Sequence, residues 1–588
     1  MSRNLSPTVI GRQAVIATEH YLSAAAGARL FARGGNAVDA AVAATFVEGV
    51  VNPHMHTLGG EAPMLIRPGA GRPVVSINGN TAAPAAATLD RFRELGVTEI
   101  PGEGLLAAGV PAALDALLTV LEQFGTMTLE AVLEPALELC EGGFPLHIGV
   151  TGSPEVATTV AGSAATLVAN AERFLKLWPS TGQLYMPAGQ LPLPDTMIKN
   201  PALANCFRRL LDAAAGAPAS DRAAGLQAAR ARFYRGDIAR QIADWAQAGG
   251  GLLRAEDLAT FRTHIEAPVS IDYHGIRVCK CGPWSQGPVF LQQLRLLEGF
   301  DLPALGHNSA DYIHTVVEAA KLAFADRNAY YGDPSAVEVP MEGLLSPRYA
   351  ELRRALVDPH HALREPAHPG DPRAMRAWAE QPGEGRGWGR GTVHVAAADR
   401  AGNLIAITPS GAWIPSSPVI PELGFPLGTR LQTFVLQEGH PNAPAPGKRP
   451  RTTLSPSLAL FDDRRGVAFG TMGGDNQDQW TLQFFLNLVD FKMDLQAAIE
   501  APRFSTLHFA SSFSPHAALP GVVLAEERIA PEVVGELRRR GHSIELVPAY
   551  SEGYVLAVSQ SLDEGRLSGG ADPRGHLKAV FPAYVIGW

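Results

Sequence analysis

Apolar positions along this chain alternate between two spacings, and the switches between them mark its elements. A short unbroken apolar run, Ala14 to Ala17, predicts a buried strand; the spacing of Leu22, Ala25, Ala26 and Leu30 predicts a helix over Tyr21 to Arg33. Gly34 and Gly35 end that helix, and Asn36 can cap a second one whose small residues Ala37, Ala40, Ala41 and Ala43 allow close packing. Apolar-periodic runs predict helices over Ala113 to Phe124 and Leu129 to Cys140, and residues 155 to 265 read as Ala-rich, mostly helical scaffold that includes a helix over Asp237 to Ala248. Val269 to Cys281 alternates like one strand and runs into the turn-rich loop Gly282 to Pro288, a kind of loop that lines sites. Ser309 caps a long helix through Ala329, and Ser346-Pro347 opens another.

From His360 to Gly391 the periodicity disappears and Pro, Gly and Arg accumulate, which predicts a mobile linker. It ends in a glycine-rich run, Gly383, Gly385, Gly387, Gly389 and Gly391, followed by Thr392 and the alternating residues Val393, Val395 and Ala397. Flexible backbone before a Thr, with a strand after it, suits a residue that attacks its own preceding carbonyl and then acts as an N-terminal nucleophile with its α-amine as base. A plain loop entering a strand would read the same way taken alone. Beyond Thr392 the pattern predicts a hairpin over Val393 to Thr408, a strand pair at Leu458 to Phe461 and Gly466 to Thr471, and helices at Gln477 to Val489 and Leu495 to Ala501. Strand pairs with covering helices imply layered sheets rather than alternating βα units.

Composition narrows the class. With 46% hydrophobic and 18% charged residues in 588, the chain is an ordinary globular protein with ample core, and its net charge of -9 leaves no basic footprint for nucleic acid or an anionic membrane. No secretory-type leader and no apolar run of about eighteen residues is found, and four cysteines make no disulfide framework, so a cytoplasmic protein is expected. Cys279 with Cys281, and His54 with His56, each place two possible ligands on one face but lack further partners, so neither a metal nor a cofactor is expected.

Seven segments together carry a resemblance. They are Gly34 to Ala41; Glu318 to Arg327 with Gly332-Asp333-Pro334; Thr392-x-His394; Pro446 to Pro450; Gly473-Gly474; Ala501 to Phe504; and Ala571 to Arg574. The chain resembles the γ-glutamyltransferase family of N-terminal-nucleophile hydrolases. The resemblance implies an α+β fold, a four-layer αββα sandwich, and a precursor that cuts itself between Gly391 and Thr392. The pieces would be a large fragment, 1–391, and a small one, 392–588, intertwined in one domain and possibly paired into a dimer of such heterodimers. It implies Thr392 as nucleophile, Ser410 as the hydroxyl that hydrogen-bonds it, and the N–H groups of Gly473 and Gly474 as the oxyanion hole.

The departures are equally specific. The family's arginine for a substrate α-carboxylate falls on Leu89, its carboxylate for the α-amino group falls on Thr433, and its serine pair falls on Thr452 and Thr453. Arg91 could stand in if the loop shifts. Arg430 falls where the family often has a Gln near the substrate, and its guanidinium suits a bidentate carboxylate contact, unless a structural acid holds it. These features resemble the branch with oxamate amidohydrolase and acylases, and lead us to expect hydrolysis of a small carboxylate-bearing amide. A true γ-glutamyltransferase is the first alternative; an inactive homologue, hinted at by Val393 where the family often has a second Thr, is the other.

Overall fold

The computed structural model describes residues 4–146, 162–192, 196–218, 220–378, 391–574 and 583–588. The run from Gly383 to Gly389, with most of the approach to Thr392, lies outside the described residues, as does part of the stretch 155–265.

Two seven-stranded antiparallel sheets stack face to face. In one, the order is Val9–Gly11, Arg566–Ala571, Leu556–Ser561, Arg465–Gly470, Ser457–Leu460, Ile276–Lys280, Val269–Tyr273. In the other it is Tyr584–Gly587, Ala14–Thr18, Val395–Asp399, Asn403–Ile407, Met64–Pro68, Val75–Asn78, His264–Glu266. Small apolar residues fill the space between them, among them Val15, Ala17, Ala396, Ala398, Ala468 and Val558. Ala40 to Val47 of the helix Ala37–Val51 pack on the outer face of the second sheet; the helices Pro288–Leu297, Ala310–Tyr330 and Gln477–Val489 cover the first. The layers therefore run helix, sheet, sheet, helix, and each sheet is buried on both faces. That is why its strands read as near-continuous apolar runs rather than clean alternation.

Local chemistry explains the element boundaries. Asn36 accepts from the N–H groups of Val38 and Asp39 while Asp39 returns a contact to the Asn36 N–H at 2.9 Å, a reciprocal cap. Ser309, Ser346 and Asp494 cap helices at Ala310, Pro347 and Leu495. One expectation is corrected: Val269 to Cys281 is not one strand but a hairpin, Val269–Tyr273 against Ile276–Lys280, because His274 and Gly275 both take positive φ (52° and 81°) and turn the chain. Among the described residues, no helix is long and apolar enough to cross a membrane.

Candidate active site

Thr392 enters an interior strand of the second sheet, between Ala14–Thr18 and Asn403–Ile407, and is 3% exposed. The hairpin brings Ser410 directly opposite it as an antiparallel bridge partner, with the Val393 N–H donating to the Pro409 carbonyl at 3.0 Å. Across that bridge the Thr392 and Ser410 hydroxyl oxygens lie 3.3 Å apart.

The Gly391 carbonyl is the focus of the site. It accepts the Ser410 hydroxyl at 2.6 Å and the Trp413 indole N–H at 2.9 Å, and the Thr392 hydroxyl reaches it at 2.8 Å. Gly391 has φ of 79°, and a Cβ there would lie 2.5 Å from Trp413 Nε1. Only glycine combines that backbone with so close an indole.

Arg430 underlies this cluster. Its Nη2 donates to the Ser410 hydroxyl at 3.0 Å, while Nε and Nη2 pair with the Glu61 carboxylate, and both partners are buried. Burial pushes the Glu61 carboxyl above its ordinary range, against the opposing pull of Arg430. Trp413 and Phe513 rings flank the guanidinium at 5.3 and 5.4 Å. The sequence left open whether a structural acid holds Arg430; Glu61 does so, leaving Nη1 as its one nitrogen without a protein partner among the described residues. Glu61 itself is fixed to Ser410 by reciprocal backbone hydrogen bonds of 2.9 Å.

Gly473 and Gly474 follow the strand Arg465–Gly470 and precede the helix Gln477–Val489. Both take positive φ, 118° and 57°. The loop is anchored from its carbonyl side: Asn476 N–H donates to Gly473 at 3.1 Å, and Gln286 Nε2 donates to Gly474 at 3.4 Å. Met472 packs with Val393, Met55 and Tyr554, so the glycine pair adjoins the residue that follows Thr392. Asp475 next to it is buried; burial raises its pKa, but Arg327 and two hydrogen bonds from Ser512 outweigh that and bring it below the ordinary range. Thr452 lies between Trp284 and Gln286 in a bridge, its N–H donating to the Trp284 carbonyl at 2.9 Å, and the buried Thr453 hydroxyl has no partner among the described residues.

Thr433 turns its hydroxyl to the Arg430 carbonyl at 2.9 Å, and Leu89 opens the short helix Leu89–Glu94 capped by Thr88. Arg91 does not stand in for the missing arginine: on that helix it faces solvent and pairs with Glu94 at 3.0 Å. His56 contacts the Ser410 carbonyl through Nδ1 at 3.2 Å, and burial lowers its pKa to about 4. Cys279 and Cys281 are buried between the sheets as free thiols. Sequence reasoning missed Trp413, Phe513 and the role of Glu61. The one local signal is the Gly59-Gly60-Glu61 run that follows His54 and His56.

With this arrangement in view, the comparisons with known proteins are decisive. The gamma-glutamyltranspeptidase family model matches residues 23–581. The chain belongs to the gamma-glutamyltranspeptidase family. Among its relatives are the glutathione hydrolase-like YwrD proenzyme of Bacillus subtilis, 30% identical over 98% of this chain and 100% of that protein, and the oxamate amidohydrolase proenzyme of Klebsiella pneumoniae, 30% identical over 95% and 97%. The solved structure of LmbA2991HD is similar at 41% identity, TM-score 0.91, with all of both chains covered; the cephalosporin acylase from Bacillus halodurans is similar at 28%, TM-score 0.83, over 100% and 98%. The family's fold, the αββα sandwich of N-terminal-nucleophile hydrolases, is the one described above, and the chain is an enzyme of this hydrolase and acylase family.

Proposed function

We propose that this family member is a self-processing amidohydrolase that cuts itself between Gly391 and Thr392 and then forms an acyl-enzyme on Thr392. The observation that carries the proposal is the Gly391 carbonyl held by two donors with the Thr392 hydroxyl beside it. Those donors stabilise the negative charge that grows on this oxygen when Thr392 Oγ1 attacks the Gly391 carbon. As the C–N bond breaks, the proton lost by the hydroxyl ends on the departing Thr392 nitrogen, leaving an ester; water then releases the Gly391 carboxylate and restores the hydroxyl. The freed α-amine has an ordinary pKa near 7.7 to 8.0, so a sizeable fraction is neutral and able to act as base. In turnover Thr392 attacks the substrate amide, Ser410 orients its hydroxyl, and the N–H groups of Gly473 and Gly474 receive the oxyanion.

The substrate we propose is a small amide with one carboxylate, of which oxamate is the simplest. A γ-glutamyl donor would bury an ammonium opposite Thr433 and a carboxylate beside Leu89, and neither supplies a charge; leaving one buried charge unpaired typically costs roughly 2 to 5 kcal/mol. A single carboxylate needs less: Arg430 Nη1 and the Thr453 hydroxyl are buried polar atoms with unused hydrogen-bond capacity, and Thr452 adds a second hydroxyl. An oxamate amidohydrolase and a cephalosporin acylase among the similar proteins support hydrolysis of varied amides on this scaffold. Ordinary γ-glutamyl transfer remains the second reading because of family membership itself. The test is a panel of oxamate, short carboxylate-bearing amides, glutathione and γ-glutamyl anilide on the processed enzyme. Preference for the small amides, lost in Arg430→Lys, is expected; efficient glutathione hydrolysis unaffected by that change would reverse the assignment.

A further inference from the structure

Away from the nucleophile, three buried side chains converge for which the chemistry above has no use. His314 and Glu318 stand four residues apart on one face of the helix Ala310–Tyr330, and His542 follows the helix Pro531–Arg539 at the entry to the strand Ser543–Val547. All three are at most 3% exposed, and one ligand atom from each lies within 4.8 Å of the others. His314 Nδ1 and His542 Nε2 are 2.8 Å apart.

The surroundings prepare these atoms as ligands. His314 Nε2 donates to the Asp358 carbonyl at 2.7 Å, which fixes its tautomer and leaves Nδ1 as a lone pair facing the cluster. Glu318 Oε2 accepts the Leu363 N–H at 3.2 Å, which holds the carboxylate in place. Given that His314 tautomer, His542 must carry its proton on Nε2, and its buried Nδ1 is then a lone pair with no partner among the described residues. Moving that proton from Nε2 to Nδ1 gives two facing nitrogen lone pairs beside a carboxylate oxygen, with no net proton lost. Two imidazoles and one carboxylate, with a fourth position left over, is a donor set zinc accepts.

We infer that His314, Glu318 and His542 form a binding site for a zinc-class divalent metal. Its location gives it a purpose: His314 and Glu318 precede residue 391 and His542 follows it, so a metal here would staple the two fragments of the proposed self-cleavage together. Lys321 competes for the site, since its ammonium contacts Glu318 Oε1 at 2.6 Å and the Leu363 carbonyl at 2.7 Å. A metal must share the carboxylate with that cation, and removing the cation should tighten binding.

The experiment strips the full chain with a chelator, adds zinc sulfate, and measures bound zinc after gel filtration together with Tm. One zinc per chain is expected, with a Tm that rises with zinc concentration because the metal binds only the folded state. Glu318→Gln should weaken zinc binding at least tenfold, Lys321→Met should strengthen it, and His542→Gln should abolish it. Two exposed histidines, His360 and His361, are the control for surface binding: the double change to Ala should leave the zinc in place. A stripped wild-type chain that takes up no zinc, or zinc that leaves with His360 and His361, overturns the inference, and neither outcome bears on the Thr392 chemistry. Should His542→Gln fail to fold, the wild-type titration and the Lys321→Met shift still decide.

Discussion

The Gly391 carbonyl draws its two donors from residues of different legibility. Ser410 was reached through the family resemblance, which implies a hydroxyl 18 positions after Thr392; Trp413 could not be, because its indole returns to Gly391 only after left-handed residues at Gly411 and Ala412 (φ 82° and 51°) redirect the chain. Trp413→Phe keeps the ring and removes the donor. Self-cleavage should slow by about a hundredfold, the usual loss for one oxyanion donor, as followed by the intact-to-cleaved band ratio with time. A second expectation concerns pH. Burial lowers the His56 pKa to about 4, whereas the unfolded chain titrates it near 6.5, so the unfolded state binds the proton first as pH falls. Stability from this group is complete above about 6.5 and is lost as pH drops toward 4, by on the order of 3 kcal/mol. His56→Gln should flatten urea-unfolding stability across that window; an unchanged slope would show that His56 charges freely in the folded state.

Among elements, strands and helices were legible where period and capping agreed, as at Asn36, Ser309, Ser346 and Asp494. The hairpin at His274-Gly275 was not, because alternation continues through the turn and only backbone φ breaks the strand. Several segments that carried the family resemblance prove to be buried pairs of the scaffold rather than parts of the site. Arg503 meets Asp572 at 2.8 Å, Arg574 meets Glu526 at 2.8 Å, and Asp326 faces Arg353 at 3.3 Å. Losing one partner of such a pair would leave an unpaired charge in the core. The glycine loop supports a sharper expectation. An alanine at 474 meets a left-handed backbone penalty of about 1 to 2 kcal/mol at φ 57°, and an alanine at 473 would place Cβ 2.1 Å from the Trp480 ring. Gly474→Ala should lose about a hundredfold or more in turnover if its N–H receives the oxyanion, while Gly473→Ala should lower Tm. Full activity in Gly474→Ala would remove that role, and an unchanged Tm in Gly473→Ala would show that the Trp480 ring gives way.

At the scale of the molecule, both sheets interleave strands from either side of residue 391. The sheet holding Thr392 takes Ala14–Thr18 and Met64–Pro68 from one side and Val395–Asp399 and Asn403–Ile407 from the other, and the opposite sheet is mixed in the same way. A cut at Gly391 therefore releases no free fragment: the pieces should co-elute in native gel filtration and separate only in denaturant. Fold class was readable because layered strand pairs and the family's segments pointed the same way, and the resemblance also implied that the two pieces intertwine; the order of the strands was not readable, since it depends on pairings distant in sequence. The most direct test of the central claim is intact-mass spectrometry of freshly folded wild type beside Thr392→Ala. Fragments of residues 1–391 and 392–588 in the wild type, with a whole chain in the variant, are expected. A wild type that stays whole on long incubation, or a Thr392→Ala chain that splits at the same bond, would contradict Thr392 as the self-processing nucleophile.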